Sequence, residues 1–184
     1  YVPDLEDMGE QTFSREFAAK LPIEDSRAMY LANRASDFIS NNKDRPFMMC
    51  VGILEPHPPY ENALSDIHDP SDITFEKAFM QSPGKNSSKL NQSRETEVPS
   101  NIKTEADWRE LKAKYWGNVS MVDRAVEKII KTLRSTEIDD RTIVILTSEH
   151  GDQMGDHNIL QKSVLYEESI RVPLLVKVPW LESS

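Results

Sequence analysis

The sequence predicts an α/β fold, a mostly parallel sheet with helices on both faces. Three observations carry it. An apolar stripe at helical spacing begins at Glu24, a longer one runs from Leu111 to Leu133, and short apolar runs lie at 47–54, 142–147 and 172–178. Strands and helices in this order imply right-handed crossovers and parallel pairing. The 184 residues suffice for one domain with a real core, or for part of a larger one.

The elements follow in order. Residues 1–22 are weakly patterned, with a short helix expected around 13–20. Ala28, Leu31, Ala32, Ala35, Phe38 and Ile39 then form one helical stripe, with Asn41 and Asn42 as stop residues. Pro46 opens the run 47–54, apolar nearly throughout, as a strand covered on both faces would be. The segment EPHPPY (55–60) has three prolines in four positions, which fix φ and remove donors, so a stiff turn presents His57. Residues 61–104 are rich in Ser, Asn, Pro and Lys and read as a long surface excursion, a length usual for lids and other functional loops. Three Asn-x-Ser triplets, at Asn86, Asn91 and Asn118, fit the glycosylation pattern but arise easily by chance in so Asn/Ser-rich a chain.

Leu111, Tyr115, Val119, Val122, Val126, Ile129 and Leu133 step by 4, 4, 3, 4, 3 and 4, which makes a long amphipathic helix with a charged outer face. A strand follows at 142–147, then a polar, Gly-containing loop, a short helix within 164–170 and a third strand at 172–178.

Composition narrows the function. Apolar residues make up 38% and charged residues 29%, as in globular domains, and no run approaches a membrane span. A formal charge of −9 argues against nucleic acid as a main partner, whereas a small anionic substrate responds to the local field of a cleft. The single cysteine, Cys50, sits inside an apolar run and reads as a small buried hydrophobe. No signal peptide is recognisable, and the chain starts without Met and closes just after a strand, so the expectation is a piece of something longer.

The loop after 142–147 gathers Glu149, His150, Asp152, Asp156, His157 and Lys162 within a few turns of chain. Ionisable side chains released from a strand end lie where open α/β sheets place their ligands. Glu149 offers a hard carboxylate oxygen and His150 a ring nitrogen, a pair suited to a divalent cation but too few to close a site. Lys162 could hold an anionic oxygen, and His57 could give a proton to a leaving oxygen or hydrogen-bond an anion. Asp152, Asp156 and His157 read as loop structure. No Ser or Cys has the partners of an activated nucleophile. A cation-plus-anion site suited to ester hydrolysis is as far as the residues lead.

The stretch TSEHGDQMGDHNILQKSVLYEESIRVPLLV closely resembles the sulfatase pattern T-S-D-H/N-G-x-x-x-G-x-H-x-x-x-x-K-x-x-x-Y-E-x-S-x-R-V-P-L. EPHPPY resembles the sulfatase segment that carries an active-site His, and YWGNVSMVDRAVEKIIKTL the helix before the metal-binding strand, with its Val122-Asp123 pair. The resemblance spans about 24–180 and is weakest over 61–104. It implies an alkaline-phosphatase-like fold, hydrolysis of a sulfated small molecule or glycan, a divalent cation that is usually Ca2+, and a formylglycine nucleophile made in a C/S-x-P-x-R motif. By position, Glu149 and His150 match the metal ligands, Lys162 the sulfate-contacting lysine, and His57 the histidine near the sulfate and leaving group. His57 and Lys162 are thus the catalytic and substrate-binding candidates.

Two departures stand out. Glu149 replaces the usual Asp and is one methylene longer. The amino-terminal segment with the nucleophile is not in this sequence, so the chain is expected to be an inactive central part of one sulfatase catalytic domain, prone to self-association through exposed sheet edges. A phosphonate monoester hydrolase or phosphodiesterase of the same superfamily, and a non-catalytic binder of sulfated glycans, are the alternative readings. Many sulfatases are periplasmic, secreted or lysosomal, which leaves the compartment open.

Overall fold

Ser26 starts the first well-formed helix by accepting a hydrogen bond from the Met29 N–H (3.2 Å), which satisfies one donor the helix itself cannot. The computed structural model describes residues 21–181, and the short helix expected at 13–20 lies outside them. In chain order the main elements are α1 (Arg27–Asn42), α2 (Lys89–Glu95), α3 (Glu105–Ser135), β1 (Val144–Thr147), α4 (Glu167–Ile170) and β2 (Leu174–Lys177). β1 and β2 pair in a two-stranded sheet. No described helix is long and apolar enough to cross a membrane.

The contacts divide the chain into two units. The first holds 21–69, 113–144 and 177–181 of the described residues. Its core joins α1 to α3: Ala28 and Ala32 pack with Leu64, Met121 and Ala125, and partly buried Ile53 and Ile129 close over them. A second cluster joins Ile39, Leu133 and Ile138 to Phe47, Met49 and Val144. Here α3 ends in a Schellman arrangement, with Ile138 N–H donating to Leu133 O and Glu137 N–H to Arg134 O (both 3.1 Å). Glu137 takes the left-handed φ of 58° that this cap requires.

Three sequence expectations shift. The packed face of α3 is set by Leu111, Gly117, Asn118, Met121, Ala125 and Leu133, whereas Val119 of the apolar stripe is 44% exposed. Apolar periodicity overlooks glycine, alanine and asparagine, which are the residues that permit close contact here. Asn118 is buried and donates to Pro59 O (3.2 Å), so its glycosylation triplet is structural. Residues 47–54 are extended and alternate between half-buried and exposed side chains, but join no ladder among the described residues. Phe47, Met49, Val51 and Ile53 turn inward, whereas Met48 is 94% exposed. Cys50, expected to be buried, lies on the same exposed side.

The second unit holds 70–112 and 145–176. Thr104 and Asp107 form a reciprocal cap at the start of α3: Asp107 N–H donates to Thr104 Oγ1 (3.2 Å), and Thr104 N–H to Asp107 Oδ2 (2.7 Å). The backbone N–H groups of Lys103 and Thr104 hold the Asp107 carboxyl below its ordinary range. The excursion is anchored at points rather than free throughout: Ile73 and Ile102 are buried, as is Trp108 of α3. Phe75 stacks on Phe79 (3.6 Å between centroids), and Phe79 meets Trp108 edge-on (6.4 Å).

Gly117 offers the sharpest test of the packing between α3 and the segment that carries Leu64, because a Cβ there would overlap the carbonyl of Leu64. Gly117→Ala is expected to destabilise by about 1–3 kcal/mol despite alanine's better helix propensity. Urea unfolding that finds the variant equal to or more stable than the parent would refute this contact.

Candidate functional site

Gly151 begins the loop that β1 delivers, and no other residue fits there, since a Cβ would collide with the carbonyl of Glu168. Its N–H instead donates to Ser169 O (2.8 Å), drawing the chain after β1 against α4. Gln153 is fully buried, and its Nε2 donates to Ser169 Oγ (2.8 Å). The Tyr-Glu-x-Ser stretch of the sequence motif therefore serves as the floor of the loop.

Asp152 closes the loop on itself. Its Oδ1 accepts from Met154 N–H (3.1 Å) and from Gln161 N–H (2.9 Å), and Gln153 N–H donates to Gln161 O (2.8 Å). Between these ties Met154, His157, Asn158, Gln161 and Ser163 all take left-handed φ values of 42° to 76°. Non-glycine residues adopt such values only when the surroundings over-determine them, and they cluster at functional sites.

The sequence-derived candidates fall as follows. Glu149 is exposed and His150 half-buried on the loop's first arm, with Lys162 half-buried on its last. The hydrogen bonds of Asp152 and Gln153 join those arms. His57 belongs to the first unit, exposed in its proline turn.

The Nδ1 of His150 lies 2.8 Å from Gly151 O. A carbonyl only accepts, so Nδ1 carries the proton and the lone pair of Nε2 is left for a ligand. His57 repeats the device, with Nδ1 2.9 Å from Pro58 O and Nε2 left to exchange a proton. Lys162 Nζ donates to Gln161 Oε1 (3.3 Å), a long bond that an anion could replace. Glu149 and His150 fit two positions of a cation site, although no group of three or more His, Cys, Asp or Glu gathers as one among the described residues.

Asp156 and His157 serve the loop's interior. Asp156 is only 7% exposed and forms a bridge with Phe79, while His157 N–H donates to Ala78 O (2.9 Å). The His157 ring stacks on Tyr166 (3.7 Å between centroids), with Nε2 4.0 Å from Glu168 Oε2. The sequence reading missed the residues that reach this loop from the excursion. Met80 N–H donates to Gly155 O (2.9 Å), and the Phe79 ring lies against Gly155, whose φ of 99° and lack of a Cβ admit it. Asn158 Nδ2 donates to Glu95 Oε1 (2.8 Å), which also receives the Ser82 hydroxyl, and these bonds lower the Glu95 pKa. The only sequence signal for this contact is the glycine itself.

Burial pushes the Asp156 carboxyl up, with Glu168 adding to the rise; Lys112 and His157 oppose it, and Glu76 adds slightly. Burial likewise lowers Lys112. A carboxyl raised in the fold holds its proton more firmly there than in the unfolded chain. Its stabilising share is complete below the ordinary value of 3.8 and is lost as pH rises through the folded value. Asp156→Asn should therefore melt above the parent at about pH 7, with the gap closing towards about pH 3. A gap that stays constant across that range in thermal unfolding would rule out this linkage.

The sulfatase family profile matches residues 10–183. An ulvan-active sulfatase from Formosa agariphila is 32% identical over 165 residues, covering 87% of this chain and 27% of that protein. The multifunctional alkaline phosphatase superfamily protein PehA of Trinickia caryophylli is 27% identical over 173 residues, covering 86% and 34%. Among solved structures, the phosphonate monoester hydrolase of Agrobacterium radiobacter superposes with a TM-score of 0.77 at 24% identity, over 88% of this chain and 35% of that one. The chain thus spans about a third of the length of the relatives it matches. With its profile match across nearly all residues and its fold shared with alkaline-phosphatase-like α/β enzymes, this chain belongs to the sulfatase family.

Proposed function

We propose that the full-length protein hydrolyses sulfate esters, with this chain contributing the cation-and-anion loop of one catalytic domain. The observation that carries the reading is the loop itself. A histidine fixed with Nε2 free and a carboxylate stand on one arm, a lysine stands on the other, and hydrogen bonds tie the arms together. Glu149 and His150 would hold the divalent cation that the family implies, most simply Ca2+ given a carboxylate ligand. When bound, that cation supplies positive charge against the ester oxygens.

Lys162 neutralises negative charge on the sulfate, its long bond to Gln161 giving way to the substrate oxygen. His57, its Nδ1 committed to Pro58 O, exchanges a proton through Nε2 with the leaving oxygen. The family's nucleophile is a formylglycine from a C/S-x-P-x-R motif, and residues 1–184 contain no such motif. The substrate class we favour is a sulfated glycan or sulfated small molecule, in keeping with the ulvan-active relative.

A second reading, hydrolysis of phosphonate monoesters or phosphodiesters, draws on the similarity to PehA, a protein named as multifunctional. The full-length protein, given aryl sulfate, aryl phosphate and aryl phosphonate, is expected to turn over the sulfate fastest. Lys162→Ala should lower that rate by about 100-fold or more, the scale of losing one preorganised charge-stabilising group. Faster turnover of the phosphorus esters would move the assignment to the second reading, and the isolated 184-residue chain should show no activity.

The isolated chain should also self-associate. Every side chain of β2 is exposed, Leu174, Leu175 and Val176 among them, alongside Ile145 of β1. Exposed apolar strands with free edges pair with one another. Light scattering after size exclusion is expected to give a mass above the monomer, and Leu175→Lys to shift it downward. A monomeric parent chain would refute this expectation.

A further inference from the structure

Lys162 stands between two left-handed residues, Gln161 at φ 69° and Ser163 at φ 76°. Non-glycine residues adopt such a conformation only under strain, so the backbone that carries Lys162 is not one it would choose alone. The Gln161 side of this strain is held by two hydrogen bonds. Gln161 N–H donates to Asp152 Oδ1 (2.9 Å), and Gln161 O accepts from Gln153 N–H (2.8 Å). The same Asp152 oxygen takes the Met154 N–H (3.1 Å), four residues beyond His150. One carboxylate oxygen therefore holds both arms of the loop, the arm that carries His150 and the arm that carries Lys162.

We propose that Asp152 is a positioning residue that aims Lys162: by accepting the Gln161 N–H it keeps Gln161 left-handed and so fixes the direction in which the lysine leaves the loop. The two hydrogen bonds that carry this role do not themselves require negative charge, because backbone donors are satisfied equally by an amide oxygen. Nor does it need contact with substrate or cation. The inference rests on the reading of Lys162 as the group that meets the anionic ester, and it assigns to Asp152 the geometry on which that encounter depends. Misplacing a catalytic group by about 1 Å can cost on the order of 100-fold in rate.

The test compares Asp152→Ala, Asp152→Asn and Asp152→Ala/Gln161→Gly in the full-length protein. Asp152→Ala is expected to lower kcat for an aryl sulfate by about 10- to 100-fold. Asp152→Asn should keep most of the activity, because its amide oxygen accepts the same two N–H groups. Gln161→Gly should recover part of the loss in the alanine background, since glycine is left-handed without strain. Amide hydrogen exchange at Met154 and Gln161 should quicken in Asp152→Ala and not in Asp152→Asn. Loss of activity in Asp152→Asn equal to that in Asp152→Ala would overturn the proposal by showing that the charge matters. A kcat unchanged in Asp152→Ala, with only its melting temperature lowered, would overturn it too. If the wild-type protein hydrolyses no ester, the sulfatase reading fails, and the aiming role is then judged by inorganic sulfate binding. Weaker binding in Asp152→Ala that Asp152→Asn restores supports the role, and equal binding in all three overturns it.

Discussion

The hydrogen bonds that close the loop between β1 and α4 are the constraint on which the candidate site depends. The residues from Gly151 to Ser163 contain no regular ladder and five non-glycine residues of left-handed φ, so local propensity would not hold this path. It persists because buried polar groups have been given specific partners: Gly151 and Gln153 against Ser169, and Asp152 against Met154 and Gln161. An unsatisfied buried donor costs more than a satisfied one contributes, which makes such a network strict about geometry. That strictness suits a loop on which Glu149, His150 and Lys162 are the candidate site residues.

Support for the loop comes from both directions along the chain. Downstream, α4 supplies Ser169, and Tyr166 supplies a flat face for His157. Upstream, 78–80 lie against Gly155 and His157, and Glu95 collects hydrogen bonds from Ser82 and Asn158. The excursion is therefore a strap docked on the loop rather than a free cover. Buried Asp156 sits at this docking point, with Glu168 and Glu76 opposing its ionisation and Lys112 and His157 favouring it.

The two helices of the first unit rest on a different principle. Ala28 and Ala32 on α1 face Ala125 and Met121 on α3, and Gly117 gives Leu64 the space its carbonyl occupies. The residues buried on these two faces are mostly small. A stripe drawn through the largest apolar residues therefore passes Val119, which the fold leaves exposed. The glycine and asparagine on the packed face carry no hydrophobic signal, and Asn118 earns its burial through hydrogen bonds to Asn62 and Pro59.

The sequence alone determined the α/β class, the extent of α1 to within a few residues, the C-terminal four-fifths of α3 from Leu111 on, the proline turn at His57 and the identity of the loop that follows β1. Each of these is written locally, in helical periodicity, in proline's fixed φ or in a dense run of motif residues. Tertiary structure alone decided that 47–54 is extended without a ladder among the described residues, because a strand needs a partner that its own residues do not specify. It also decided which face of α3 is packed, that Phe79 and Glu95 grip the loop, and that a single oxygen of Asp152 joins the arms bearing His150 and Lys162. Those contacts link residues that lie far apart in the chain or that differ by one hydrogen bond in a turn, and composition at either end does not announce them.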